Sequence, residues 1–473
     1  MFRLSEMIRA LTGKEIQGND CNFTEAVRDS HEAAEETLFV AIPGERTDGH
    51  KFIPDAFAGG ARAALIQEDV PGDFRVIDLR GDAGDRIDIS DSGPVCFRVD
   101  NTISALQKIA AYHRRQLPQM EVLGITGSVG KTSTKELIYD VLSRHYRTLK
   151  TPGNMNNEIG LPLTMLKADK NTEQAVLEMG FYVPGEIDQL CQIAAPSVGV
   201  ITNVGMVHAS RAGSMEVIAR GKSELVQALP ADGTAILNYD DPYVRPMAEV
   251  TKAKVFYYGT DPAADLYVSD VESFGLEGVR FVLNYHGEKH AAKIPLIGQH
   301  SALTALRAAA VGLVKGLSWD EILSGLEHGQ NQIRMRITKT IRGGMLIDDS
   351  YNSSPDAAVA ALNLLSEMKG RKVAVMGDML ELGQYEKKGH ETVGSRAGQV
   401  CDVLVAVGPL SKYMCDAAIE KGLDPGKVFR FETAADSVAF VKDHFGSEEE
   451  VILVKGSLGM KMKQIVNALE AEE

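Results

Sequence analysis

The chain has little cysteine, a single tryptophan and no long apolar run, and each shortage narrows what it can be. Cys21, Cys96, Cys191, Cys401 and Cys415 are scattered over 473 residues without a CxxC pair. Neither a disulfide framework nor a cysteine-ligated zinc site is indicated. A reduced, cytoplasmic setting is expected. No stretch reaches the roughly 18 apolar residues of a membrane span. The first residues, MFRLSEMIRALTGKEI, mix acids with bases and lack the apolar core of a signal peptide. Positive charge is also short: 50 Lys and Arg against 65 Asp and Glu leave a net charge of −15. Such a balance suits neither nucleic acid nor an anionic membrane surface, and neither is expected as a partner. Repeats and low-complexity tracts are missing.

What is present is ordinary globular composition, 44% hydrophobic and 24% charged. At roughly 150 residues per domain the length allows two to four domains. Residues 1–99 hold short strands such as TLFVAIPG (37–44), a small helix at 53–58 and a Gly- and Asp-rich stretch, 80–93, that reads as loop. A helix is expected over 102–116. VLGITG (122–127), QAVLEM (174–179), VGVITNV (198–204) and TAILN (234–238) read as buried parallel strands separated by helices. Residues 266–296 change to antiparallel strands with glycine turns, and a helix follows at 301–315. Beyond about residue 331, MLIDD (345–349), KVAVMG (372–377), DVLVAVG (402–408), KVFRF (427–431) and VILVKG (451–456) each precede a helical pattern. That alternation predicts a second doubly wound sheet, and three α/β domains in series.

GITGSVGKTSTKEL (124–137) is the strongest local signal. A strand enters a glycine-rich turn that opens a helix, so backbone N–H groups of Gly127, Ser128, Val129, Gly130 and Ser133 are placed to face an anion. Lys131 supplies a charge for the outer phosphates, and the Thr132 hydroxyl suits Mg²⁺. Ile125 stands where the strict phosphate-loop pattern has glycine. Other residues are ambiguous by themselves. Glu178 reads equally as a solvated strand-end acid, His208 as a capping or core histidine, and Lys222 as an exposed lysine on the helix 218–227.

Several further blocks follow in order: DSHEAAEETLFVAIPGERTDGHKF (29–52), TPGNMNNEIGLPLTML (151–166), EMGFYVPGEI (178–187), NVGMVHASRAGSMEVIARGKSEL (203–225), DDSYNSSPDAAVAAL (348–362), GDMLELG (377–383) and VKGS (454–457). With the loop spacing GxxGxxGKT, they make nearly the whole chain resemble the Mur ligases, ATP-dependent amide ligases of peptidoglycan synthesis. The GDMLELG block and the lack of a DNPR-like motif resemble the branch that joins D-alanyl-D-alanine to UDP-N-acetylmuramoyl-tripeptide. The resemblance implies a small UDP-precursor domain (1–99), a central P-loop ATPase-like domain with added antiparallel strands (100–330) and a C-terminal Rossmann-like ligase domain (331–473).

The same resemblance implies site residues. Thr132, Glu178, His208 and a carbamate on Lys222 would hold Mg²⁺, with Lys131, His208, Lys222 and Arg334 serving catalysis. The loop residues, His300, Thr304, Arg334 and Asp349 would meet ATP. Ser30, Asn156, Asn157, Tyr351, Asn352 and Lys455 would meet the other substrates, and a monomer is expected. Ser30, with Asp29, matches the uracil-nucleotide site, although His31 replaces the usual arginine; Gly44, Asp48, Gly49 and His50 follow as a loop. Two departures stand out: Ile333 replaces the glycine before Arg334, and GQHSALTALRAAA (298–310) replaces GxHNxxNxxAA, with Ser301 and Thr304 in place of asparagines. Weaker selection of ATP over other purine nucleotides is expected from the second. A related ligase for another amino acid or precursor, and a P-loop kinase or nucleotide-gated binding protein, remain the alternatives.

Overall fold

A computed structural model describes residues 1–44, 47–81, 86–89, 93–206, 210, 213–329 and 335–471. Among the described residues three large sheets follow one another along the chain, as the alternation of apolar runs predicts, with two two-stranded sheets beside the first. The first has five strands in the order Glu25–Val27, Thr37–Val40, Ala63–Ile66, Val95–Arg98, Arg75–Asp78, all paired in parallel. The expected small helix is present at Ile53–Ala58. The expected loop at 80–93 is corrected: Arg86–Ile89 forms a strand parallel to Glu15–Gly18. Ile87 and Ile89 are buried while Arg86 and Asp88 face out. This alternation is short, and its partner lies far upstream, so the flanking Gly and Asp dominate the local pattern.

The second sheet has nine strands. Thr148–Lys150, Gln174–Glu178, Glu121–Thr126, Val198–Ile201, Thr234–Asn238, Lys254–Gly259 and Leu266–Ser273 pair in parallel, in that order. Val279–Tyr285 and Glu288–Ile294 extend it as antiparallel strands. The strand Lys254–Gly259 and the helix Trp319–Glu327 are additions to the expected set. Asn203 and Val204, read as strand, lie beyond the strand end at Ile201, where the chain turns to support the loop.

Glycines let one helix lie close on this sheet. A Cβ at Gly124 would come 2.7 Å from Leu225, and one at Gly199 would come 3.1 Å from it. Both contacts are tighter than packed side chains normally allow. Leu225 belongs to the helix Met215–Ala228, whose Ser214 side chain accepts from the Val217 backbone N–H as N-cap. Lys222 is carried on that helix and so is brought down onto the sheet.

The third sheet orders its six strands Arg336–Lys339, Met345–Asp349, Glu450–Lys455, Arg371–Gly377, Val403–Val407 and Val428–Phe431. All pairings are parallel except the first, at an edge the sequence pattern did not predict. The last strand in sequence inserts beside Met345–Asp349 and sets Lys455 opposite Asp349. The expected boundary at 330/331 falls outside the described residues. Among the described residues no helix is long and apolar enough to cross a membrane.

Candidate active site

The strand Glu121–Thr126 lies between Gln174–Glu178 and Val198–Ile201, and the glycine-rich turn leaves its C-terminal end. Ligands of open α/β sheets gather at such ends. Gly127 has φ +146°, and a Cβ there would lie 1.8 Å from Thr202 Oγ1, so only glycine fits. Gly130, at φ +83°, is the N-cap of the helix Lys131–Leu142. The turn is tied to the neighbouring strand end. Asn203 Oδ1 accepts from Val129 N–H at 2.9 Å, and Thr202 Oγ1 donates to the Val129 carbonyl at 2.7 Å. Ser128 Oγ donates to the Gly205 carbonyl at 3.1 Å and accepts from Gly205 N–H at 2.8 Å. These bonds fix the turn at the start of the helix, where backbone N–H groups suit an anion. Lys131 Nζ donates to the Gly127 carbonyl at 2.8 Å, across the turn.

Thr132 and Glu178 are in contact with each other. Thr132 Oγ1 donates to Glu178 Oε2 at 2.9 Å, and Asn156 Nδ2 donates to Oε1 at 2.8 Å. Glu178 is 1% exposed, which rules out the solvated strand-end acid. Among the described residues it has no cationic partner. A buried carboxylate beside a hydroxyl, lacking a counter-charge, is an oxygen donor set for a hard cation. Among the described residues no group of three His, Cys, Asp or Glu side chains gathers in one place. His208 and Arg334 lie outside the described residues.

Lys222 is buried rather than on an exposed charged face, at 3% exposure. Its Nζ lies 4.9 Å from the centroid of the Phe181 ring, and no carboxylate pairs with it among the described residues. A Cβ at Gly221 would run into that ring at 2.0 Å, so glycine is what lets Phe181 close over the lysine. Burial, with help from the charge on Lys131, lowers its pKa well below the usual lysine value.

A cleft of about 370 Å³ opens between the second and third sheets. Ser128–Ser133 form one wall; His300 and, from the helix Ser301–Val314 that it precedes, Ser301 and Thr304 form another; Asp349, Tyr351, Asn352 and Lys455 close it from the third sheet. Residues from three separated parts of the chain are thus brought together. Lys455 Nζ donates to Asp349 Oδ2 at 2.6 Å and to the Asn352 carbonyl at 2.8 Å. Asn154 Nδ2 donates to Tyr351 Oη at 3.2 Å, a bond between the second and third domains.

Three expected substrate residues do not line this cleft. Asn156 is engaged with Glu178. Asn157 Oδ1 accepts from Gly160 N–H at 2.9 Å, at the start of the helix Gly160–Met165. Ser30 sits in a short helical turn of the first domain, where Asp29 accepts from His31 N–H. His50, read as turn chemistry, is a buried, satisfied ring: Nδ1 meets Asp48 at 2.6 Å and Nε2 accepts from Gln67 N–H at 2.9 Å. Two residues were missed. Asn203 follows an apolar strand and could have been read as the second support of the loop. Arg307 interrupts the apolar run LTALRAAAVGL, and a lone charge inside such a helix is the signal that it is buried.

Fold and cleft define a phosphate-loop protein whose site is completed by a second α/β sheet. Three family models match in succession: the Mur ligase family catalytic domain over residues 27–114, the Mur ligase middle domain over 125–312 and the Mur ligase glutamate ligase domain over 333–458. The chain belongs to the Mur ligase family. It is 35% identical to the UDP-N-acetylmuramoyl-tripeptide--D-alanyl-D-alanine ligase of Bacillus subtilis, with 93% of this chain and 92% of that one covered. The enzyme of the same name from Escherichia coli is 32% identical, with coverage of 99% and 98%. Among solved structures, MurF from Acinetobacter baumannii superposes with a TM-score of 0.82 at 29% identity, over 98% of this chain and 97% of that one. MurF from Thermotoga maritima in complex with ADP gives 0.77 at 27% identity, over 94% and 96%.

Proposed function

We propose that this chain is an ATP-dependent amide ligase that joins D-alanyl-D-alanine to UDP-N-acetylmuramoyl-tripeptide in peptidoglycan synthesis. One observation carries the reading. The phosphate loop and the Asp349–Lys455 wall face one cleft, in a chain alike over nearly its full length to enzymes of that name. The terminal carboxylate of the tripeptide attacks the γ-phosphorus of ATP, giving an acyl phosphate and ADP. The dipeptide amine then attacks the acyl carbon and gives up a proton to solvent or to the departing phosphate, an amide forms, and phosphate leaves with the C–O bond electrons.

The loop amides and Lys131 stabilise charge on the transferring phosphoryl group. Thr132 and Glu178 fit Mg²⁺ by their donor chemistry and would hold it, where it neutralises phosphate charge when bound. His208 and Arg334 are proposed from the family pattern as further metal and phosphate contacts. His300 and Thr304 sit on the nucleotide side, and Asp349 is proposed for the ribose. Tyr351, Asn352 and Lys455 serve the incoming amine or ATP, and Asn156, Asn157 and Ser30 the UDP-linked precursor. Lys222, buried with a lowered pKa and without a carboxylate partner among the described residues, is suited to add to CO₂ with loss of a proton, and the resulting carbamate would supply a further oxygen donor. Phosphate release with tripeptide substrate, ATP and D-alanyl-D-alanine, each omitted in turn, tests the reaction. Full release is expected only with all three; release indifferent to the amine would overturn it.

A further inference from the structure

Lys135 is wholly buried in the helix that leaves the phosphate loop, and nothing in the reaction given above uses it. Burying an ammonium is costly unless its charge and hydrogen bonds are met, so its partners define its task. Nζ donates to the Thr151 carbonyl at 2.7 Å and to the Gly153 carbonyl at 3.1 Å, and it lies 2.9 Å from Glu136 Oε1. The other carboxylate oxygen of Glu136 holds Lys150. Thr151 and Gly153 begin the irregular stretch 151–159, between the strand Thr148–Lys150 and the helix Gly160–Met165. Two carbonyls of that stretch thus meet a full charge, a stronger hold than a neutral donor gives.

The same stretch clamps Glu178. Thr151 Oγ1 accepts from Glu178 N–H at 3.0 Å, and Asn156 Nδ2 donates to Glu178 Oε1 at 2.8 Å. The Asn156 carbonyl also accepts from Gly180 N–H at 2.7 Å. A Cβ at Gly180 would come 3.0 Å from both the carbonyl oxygen and Oδ1 of Asn156, so glycine lets the stretch lie this close. Backbone and carboxylate of Glu178 are therefore both fixed from residues 151–156, while Thr132 meets its remaining oxygen. We propose that Lys135 is a positioning residue for the metal site: by pinning residues 151–153 it sets the clamp of Thr151 and Asn156, and so the orientation in which Glu178 meets a divalent cation beside Thr132. The ammonium acts through that stretch and not on the reacting atoms. The inference rests on the reading of Thr132 and Glu178 as metal donors given above.

Metal binding is read on the full chain without turnover, by titrating Mn²⁺ in the presence of ADP and following the free ion by electron paramagnetic resonance. Lys135→Met keeps the bulk and removes the ammonium. It should lower Mn²⁺ affinity about tenfold, the low end for losing a partner behind a metal ligand. ADP binding in EDTA should be unchanged, and the Gly180 amide should exchange faster with solvent. Asn156→Ala removes the carboxamide from Glu178 directly and should cost about tenfold or more. Because both act through one clamp, the double variant should lose far less than the product of the single losses. Lys135→Gln keeps a neutral donor and stands in where Lys135→Met does not fold; its loss should be smaller and of the same sign. A residue that only stabilises the fold would lower the unfolding midpoint and leave Mn²⁺ affinity at the wild-type value. That result in any folded variant, or losses that multiply in full, would overturn the inference while leaving the metal site intact. Failure of the wild-type chain to bind Mn²⁺ with ADP would remove the metal reading itself.

Discussion

The second and third sheets are both doubly wound, yet they treat buried charge in opposite ways. Around the phosphate loop Glu178, Lys222 and Arg307 are each nearly inaccessible, and none has an oppositely charged partner among the described residues. In the third domain most buried charges come in pairs, Lys455 with Asp349 at 2.6 Å, Glu450 with Arg371 at 2.8 Å and Asp348 with Lys463 at 2.6 Å, while Asp378, fully buried, faces only the His390 ring at 3.6 Å and no Lys or Arg among the described residues. Lys135 in the second domain follows the paired pattern, bound to Glu136 at 2.9 Å and to the Thr151 carbonyl at 2.7 Å. A buried ion pair is self-sufficient, whereas a lone buried charge is costly until something arrives to neutralise it. The lone charges of the second domain therefore stay costly until something neutralises them, whereas Lys455 and Asp349 are satisfied by each other even though both line the cleft.

The sharpest break of this contrast is Lys131→Ala. The loop amides remain, while the charge near the transferring phosphoryl group and the hydrogen bond of Nζ to the Gly127 carbonyl are lost. Turnover is expected to fall roughly 10²–10³-fold, the scale of removing one preorganised stabilising group from a transition state, with an unchanged unfolding transition. Near-normal turnover would end the phosphate-loop assignment.

Next in size is Asp349→Ala, measured by denaturant unfolding without nucleotide. It strands Lys455, which is 2% exposed, and should cost about 3 kcal/mol, the low end for a broken buried pair because Asp349 itself is partly open. Lys222→Met removes a lone charge instead. It should leave stability unchanged or raise it by about 1 kcal/mol while abolishing activity. If both substitutions destabilise equally, the distinction between lone and paired charges fails. Lys222→Ala should also regain part of its activity with added short carboxylic acids if they replace the proposed carbamate, and full activity of the variant in CO₂-free buffer would refute that role.

How much of this was legible in the sequence depends on how local the cause is. The phosphate loop is contiguous, with strand, Gly127, Gly130, Lys131 and helix in one run, and it could be read directly. The parallel strands announce themselves as apolar runs, and so does the α/β class. Strand order does not, because it depends on which edge a distant strand joins. Nothing local says that Glu450–Lys455 inserts beside Met345–Asp349, so the contact of Lys455 with Asp349 is a product of topology. The same limit hid the strand Arg86–Ile89 and the burial of His50, whose hydrogen-bond partner Gln67 is on another strand end. Arg307 was visible as a charge in an apolar helix, but only packing shows that no carboxylate answers it.

The smallest effect concerns a pair at the edge of the contrast. Burial alone would raise the Asp348 pKa, but hydrogen bonds from Lys463 and from the Ser350 hydroxyl and N–H overcome it and hold the carboxyl below its ordinary 3.8. A carboxyl whose folded-state pKa is depressed adds stability above its unfolded value, and that stability disappears as pH falls through the folded value. Lys463 is half exposed, so solvent screens the pair and its contribution is modest. Lys463→Met is therefore expected to lower stability by roughly 0.2–1 kcal/mol near pH 7. The gap between variant and wild type should narrow as pH drops below 3.8 and close once Asp348 is protonated in both. Urea unfolding at a series of pH values measures it. A gap that persists unchanged into strong acid would mean that Lys463 acts through packing of its alkyl stem, and the pair would no longer count among the charges that the third domain satisfies internally.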